Sequence, residues 1–275
     1  MTLPVLDLVM FAATGALTGM LGALLGLGGG VFLVPLLALG FHLEPRTAVA
    51  ASLVAVIASS SSTTIVNMKR GLVNIPLAFT LLLLTSAGSY GGADIASYIS
   101  TRTLYAIFAA TLFVVAIIVT SRSRTRNVID DPEHDVGMLG GRVYEEGKTL
   151  SYVMKRLPLA LSVSLVAGAI SGLLGVGGGV IQVPVLNSFC GIPIRVAAAT
   201  SAFMIGPTAA VSAFIYLGRG DMDPLVTAAI ALGSLPGSIL GAWASRLMPV
   251  RSIKTILATS LVLVAIRMAV AAFWM

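Results

Sequence analysis

Two glycine clusters stand out as groups able to hold a ligand without a reactive side chain. They are Gly26-Leu27-Gly28-Gly29-Gly30 and Gly175-Val176-Gly177-Gly178-Gly179, and each interrupts a long apolar run. Three consecutive glycines are costly inside a helix, so the helix is expected to break at each cluster. In lipid, an interrupted backbone must be satisfied by protein or line a polar cavity. A helix that restarts after such a break aims its free amides and positive dipole end at the gap, which suits an anion. Close helix packing is the competing use of small residues in membranes. Each cluster is followed by V-x-x-V-P, and this repetition favours a functional break. Gly28, Gly29, Gly30, Gly177, Gly178 and Gly179 are therefore candidate substrate contacts. A phosphate-loop reading lacks the Lys and the strand-turn-helix context that it needs.

Arg46 and Arg195 each open a long apolar helix, in EPRTAVAAS and PIRVAAATS. An arginine there either snorkels to headgroups or draws anions into a vestibule. Hydroxyls are dense nearby: Ser52, Thr200, Ser201 and the run Ser59 to Thr64. Hydroxyls bind oxyanions without placing a charge in the membrane. Gln182 lies just past the second break, and its counterpart in the first half is Leu33. A buried amide at that place is a candidate substrate contact, and Asn67 is a weaker one near a helix end. No Asp, Glu or Lys falls in the middle of a long apolar span, with Asp94 the nearest exception. Intramembrane carboxylates are the usual relays for protons and cations, so their scarcity suits an anion carrier. No Ser-His-Asp set, HExxH or Cys/His cluster appears, so neither an enzyme nor a metal or other cofactor is expected. His134 among the linker carboxylates reads as part of a solvated charge run. His42 reads as a loop residue, and the single Cys190 as a packing residue.

The elements that position these residues follow from composition. Of 275 residues, 57% are hydrophobic and only 10% charged, with a mean hydropathy of +1.00. Soluble domains carry about a quarter charged residues, so this chain lacks the polar surface that water requires. Apolar runs such as Ala48 to Met68, Ile75 to Ser100, Leu104 to Thr120 and Ile253 to Met275 match the ~20 residues of a spanning helix. The net charge of +6 sits mainly in loops, as the positive-inside bias predicts, which leaves no patch for nucleic acid. The start MTLPVLDLVM lacks a basic n-region and is read as part of the first helix.

The chain repeats itself at an offset of 149 residues. LLGLGGGVFLVP (24–35) and LLGVGGGVIQVP (173–184) agree at nine of twelve positions. The same register pairs Arg46 with Arg195, Ser52 with Ser201, Arg70-Gly71 with Arg219-Gly220, Gly88 with Gly237, Gly92 with Gly241 and Arg102 with Arg251. Such repeats are a signature of secondary transporters. The expected domains are a first membrane repeat (1–120), a polar cytoplasmic linker (121–157), read as solvated and flexible, and a second repeat (158–275). Each repeat parses as a broken helical hairpin plus three spans, near 47–68, 74–100 and 103–120 in the first, about 8–10 membrane helices in all. The hairpin returns to its starting side, so each half crosses an odd number of times. The result is an all-α polytopic membrane protein of two inverted repeats. Thirteen of the seventeen Lys and Arg fall on the linker's face, which assigns the linker to the cytoplasm and both termini to the opposite face.

The paired segments Gly26 to Pro35 with Ala48 to Ser52, and Gly175 to Pro184 with Ala197 to Ser201, resemble the sulfite exporter TauE/SafE family of bacterial permeases. The resemblance covers nearly the whole chain outside the linker, which looks longer than a typical central loop of that family. It implies a helical protein of the bacterial inner membrane that moves sulfite, an organosulfonate or a related small anion. Carriage by alternating access between the repeats is the leading expectation, with protons as the default co-substrate and a homodimer as a candidate assembly. The alternatives are a small-anion channel and a non-transporting scaffold. The leading reading predicts a polar cavity between the two glycine breaks.

Overall fold

A computed structural model describes residues 5–121, 135–145, 148–248 and 250–274. Helix α1 (Val5–Leu25) ends at the first glycine cluster, and α2 (Gly30–Pro35) restarts after it and passes into one π-helical turn, Leu36–Gly40. Then come α3 (Pro45–Met68), α4 (Ile75–Ile95) and α5 (Thr101–Ser121). The second half repeats the order as α6 (Leu157–Leu174), α7 (Gly179–Ser188), α8 (Ile194–Gly218), α9 (Pro224–Leu247) and α10 (Val250–Trp274). Eight of these helices are long and apolar enough to cross a membrane. The protein is thus an all-α polytopic membrane protein, with spans that agree with the sequence expectation to within a few residues. Proline at the first or second position starts α3, α4, α6 and α9, where its missing N–H has no intrahelical partner to lose.

The helices after each break turn back rather than go on. Gly29 lies against Thr18 and Gly19 of α1. The ring of Phe41 sits 4.7 Å from that of Phe11, so the first hairpin closes at the end where α1 begins. In the second half the Lys155 amide donates to the Cys190 carbonyl at 2.8 Å, which closes that hairpin in the same way.

Pairing between halves follows the repeat. Helix α1 packs on α9 as α6 packs on α4, and α3 meets α8 as α5 meets α10. The contacts are made backbone to backbone at glycine. A Cβ on Gly88 would overlap the carbonyl of Leu165, and one on Gly237 that of Ala16. Gly92 meets Ala169, and Gly241 meets Met20. All four pairs obey the 149-residue offset. With no hydrophobic force between helices in lipid, such close approach supplies dispersion contact instead.

The linker departs from the expectation. The segment 122–134, with His134, lies outside the described residues. Its later part is not a bare solvated segment: β1 (Gly141–Glu145) and β2 (Lys148–Tyr152) form an antiparallel hairpin with Val143 opposite Leu150. Val143, Ser151 and Tyr152 are buried, and Val143 and Tyr152 cluster with Leu77, Leu81, Cys190 and Ile192. The charge run around it masks a strand alternation only five residues long. Asn74 ties the hairpin down. Its amide nitrogen donates to the carbonyl of Leu139 and to the Tyr152 hydroxyl, while its oxygen caps α4 by accepting from the Leu77 amide. The Asn74 backbone amide donates to Thr200 Oγ1.

Two expectations arise here. Burial pushes the Cys190 thiol up to about 11, so it stays protonated and resists maleimide near neutral pH. A native thiol that keeps its proton longer than the unfolded one makes stability fall as pH rises from 9 towards 11. Asn74→Ala removes a helix cap worth ~1 kcal/mol and two side-chain bonds of ~1 kcal/mol each. It should lower the melting midpoint and speed Cys190 alkylation, read by mass spectrometry.

Candidate functional site

The breaks come together, and each is built from glycines that only glycine tolerates. Gly26, Gly28 and Gly29 have φ of 73°, 80° and 82°, and their counterparts Gly175, Gly177 and Gly178 have 70°, 84° and 74°. These are left-handed values that other residues rarely adopt. The two tips brace one another. A Cβ on Gly30 would strike the Gly175 carbonyl, and one on Gly179 would lie 2.9 Å from the Gly26 carbonyl. Gly28 and Gly177 face the same two side chains, Val56 of α3 and Ile205 of α8. Leu27 and Val176, at the crest of the tips, are also buried.

Aliphatic Val56 and Ile205 thus stand between Gly28 and Gly177, where a polar cavity is the expectation. Hydroxyls and one amide hold the tips from the side. Ser52 Oγ donates to the Gly175 carbonyl at 2.8 Å, and Ser59 Oγ to the Gly28 carbonyl at 3.0 Å. Gln182 is buried, with its Nε2 donating to Thr85 Oγ1 at 3.0 Å and its Oε1 accepting from Ser201 Oγ at 3.3 Å. Gln182 thus joins α7 to α4 and α8. Thr200 Oγ1 accepts from the Asn74 backbone amide in the α3–α4 connection.

The cavity lies to one side, at the end of the bundle that carries the β-hairpin. It has a volume of about 390 Å³ and runs from Val143 to Gly26. Its polar lining comes from Asn67, Arg70, Arg195 and Ser245, and its apolar lining includes Leu24, Leu72 and Ile194. Backbone carbonyls orient both guanidinium groups: Arg70 Nη1 donates to Ala242 at 3.0 Å, and Arg195 Nη2 to Met248 at 3.3 Å. Two cations, an amide and a hydroxyl around one partly apolar chamber fit an anion of modest size with a small organic group.

Arg46 is not part of this chamber. It lies at the other end of the bundle, where its Nη2 donates to the Ser97 carbonyl at 2.9 Å. Arg219 is beside that end too, donating to the Ala93 carbonyl at 2.7 Å and pairing with the Asp94 carboxylate at 2.9 Å. The structure therefore brings the six glycines, Ser52, Ser201 and Gln182 together, and it separates Arg195 from Arg46. Sequence reasoning missed Arg70, Ser245 and Gly26 as lining residues. Arg70 was visible as the repeat partner of Arg219, but nothing in its spacing places it beside a chamber.

The family model described as Sulfite exporter TauE/SafE matches residues 11–268. The probable membrane transporter protein YunE of Bacillus subtilis is 24% identical over 94% of this chain and 96% of its own length. The probable membrane transporter protein YdhB of the same organism is 26% identical over 88% and 90%. A shorter stretch, 26% of this chain, is 41% identical to 17% of the Sulfite exporter TauE/SafE family protein 6 of Arabidopsis thaliana. No solved structure matches the chain.

Proposed function

The chain belongs to the sulfite exporter TauE/SafE family, and from that membership we propose that it is a secondary transporter for a small anion. Sulfite, an organosulfonate or a related sulfur oxyanion is the substrate class that the family's name and the lining favour. The observation that carries the reading is the chamber lined by Arg70, Arg195, Asn67 and Ser245, which ends at the Gly26 tip. Behind that tip, Val56 and Ile205 close the middle of the bundle. A chamber that leads to a closed centre suits a carrier better than a channel.

The two halves form an inverted pair in this reading. Opposite orientations are supported by Arg70, just past the end of α3, and Arg195, at the start of α8, lining one chamber, while Arg46, at the start of α3, binds Ser97 away from it. The hairpin end faces the cytoplasm of a bacterial inner membrane, in keeping with the excess of Lys and Arg there. Alternating access then consists of the tips shifting against α3 and α8, with the glycines as hinges. Co-transported protons and a homodimer remain part of the proposal.

Proteoliposome uptake tests it. Radiolabelled sulfite, taurine or sulfoacetate should enter with saturation at millimolar levels, and unlabelled anion inside should accelerate entry. An uncoupler should reduce uptake driven by a pH gradient. Flux without saturation or exchange would favour a channel. No flux, together with no thermal shift by any of the three anions, would sink the anion reading.

A further inference from the structure

Among the described residues, the two halves repeat their contacts, while the chamber sits at the hairpin end. Under the 149-residue offset, every lining position except Val143 of the hairpin has a counterpart in the other half. Arg195 maps to Arg46 and Arg70 to Arg219. Ala23 and Leu24 map to Gly172 and Leu173, Ala198 to Val49, and Asn67 to Tyr216. The anchoring bonds map as well: Arg70 donates to Ala242 as Arg219 donates to Ala93. Two substitutions put buried rings at lining positions: Leu257 maps to Phe108 and Asn67 to Tyr216. Where Asn67 borders the chamber, the Tyr216 ring is buried at 1% exposure. Its hydroxyl donates to the carbonyls of Gly172 and Leu173, at 3.2 and 3.5 Å.

We infer that a second anion vestibule, lined by Arg46 and Arg219, lies at the end opposite the hairpin, and that Tyr216 is the stopper that holds it shut in this structure. The inference rests on the carrier reading above, since a second vestibule is the place to which a carrier would deliver its anion. The charge on offer matches the open chamber, two guanidinium groups beside a glycine tip, here Gly175, with Tyr216 and Ala96 where the open end has Asn67 and Ser245. The ligand is thus the same class of small oxyanion. One difference is local: the Asp94 carboxylate already pairs with Arg219, so an anion arriving there competes with a fixed negative charge. That asymmetry favours release over capture at this end.

Opening needs the ring to leave the Gly172–Leu173 carbonyls. A phenol in an apolar bundle loses its hydrogen bonds when it moves unless it reaches water or headgroups. An asparagine at the same place would leave the volume of a ring unfilled and would copy the residue found at the open end.

The test uses the purified full chain in detergent, with Cys190→Ala to remove the only native thiol. Val49→Cys places a reporter in the closed vestibule, because Val49 is buried against Gly175. Labelling by a charged methanethiosulfonate is then timed. Tyr216→Asn should raise the labelling rate by about tenfold or more, a shift of the closed population of at least that size. Tyr216→Phe keeps the ring and loses only the hydroxyl bonds, so labelling should rise about twofold to tenfold. An unchanged rate in a Tyr216→Asn protein that melts cooperatively would overturn the inference. Should that variant fail to fold, an unchanged rate in Tyr216→Phe would overturn it equally. The assay contains no substrate, so its outcome is independent of the anion. Faster labelling with no anion flux would leave the stopper standing and the carrier reading refuted. Anion flux with unchanged labelling would do the reverse.

Discussion

Gly92→Leu should leave little or no folded protein, whereas Gly91→Leu should be tolerated. The two glycines are neighbours on α4, and both substitutions raise helix propensity by up to ~1 kcal/mol. Propensity therefore cannot separate them. At Gly91 a Cβ meets nothing within 4 Å. At Gly92 a Cβ would overlap the carbonyl of Ala169 on α6. That partner is backbone, held in its own helix ladder, and cannot swing aside. The two helices must separate, and Gly88, Gly168 and Gly172, which lie along the same seam, would then lose contact together. Overpacking a core commonly costs ~1–3 kcal/mol and occasionally more, and loss of a whole glycine seam belongs at or beyond the top of that range. Natural stabilities are ~5–15 kcal/mol, so Gly92→Leu removes a large part of the total. Gly241→Leu on α9 should behave alike, because its Cβ would overlap Met20 of α1. The monodisperse fraction after detergent extraction and the melting midpoint measure both. A Gly92→Leu protein as stable as Gly91→Leu would mean that α4 and α6 do not approach so closely.

That contrast shows what the sequence does and does not reveal. Gly91 and Gly92 are indistinguishable as letters, and only the repeat pairing of Gly92 with Gly241 hints that one of them matters. Backbone breaks and helix limits were legible because they rest on local rules: glycine cannot sustain a helix, and proline starts one. The direction in which a polar side chain points was not. Gln182 reads as a substrate contact because it is an amide just past a break. Helix crossing instead turns it between Thr85 and Ser201. Val56 and Ile205 gave no signal, since two aliphatic residues in apolar helices are ordinary until the tips converge on them. The β-hairpin was hidden because its strands are short and its composition is that of a solvated loop. The exchange of Asn67 for Tyr216 is visible in the aligned repeats, but its meaning requires a chamber at one end and a buried ring at the other.

Arg195→Ala should weaken anion binding by about tenfold to a hundredfold, and Arg46→Ala should leave binding to this conformation almost intact. Both residues begin long helices, and both donate to a backbone carbonyl near the end of the bundle. Loss of that anchoring bond is common to the two variants, so Arg46→Ala serves as the control for it. Only Arg195 lines the chamber. A charge-assisted hydrogen bond contributes ~1.5–3 kcal/mol, which is about tenfold to a hundredfold in Kd. Arg195→Lys keeps the charge but not the planar fork, so it should recover part of the loss. Binding is read as the anion concentration that gives half of the maximal thermal shift in detergent. Transport should respond differently, because a carrier must use both ends in each cycle. Exchange in proteoliposomes should fall in Arg46→Ala as well as in Arg195→Ala. If both variants bound the anion like the parent, the chamber would not be its site. If Arg46→Ala alone lost binding, the conformation that captures the anion would be the one with the opposite end open, and the direction of access inferred from the chamber would have to be reversed.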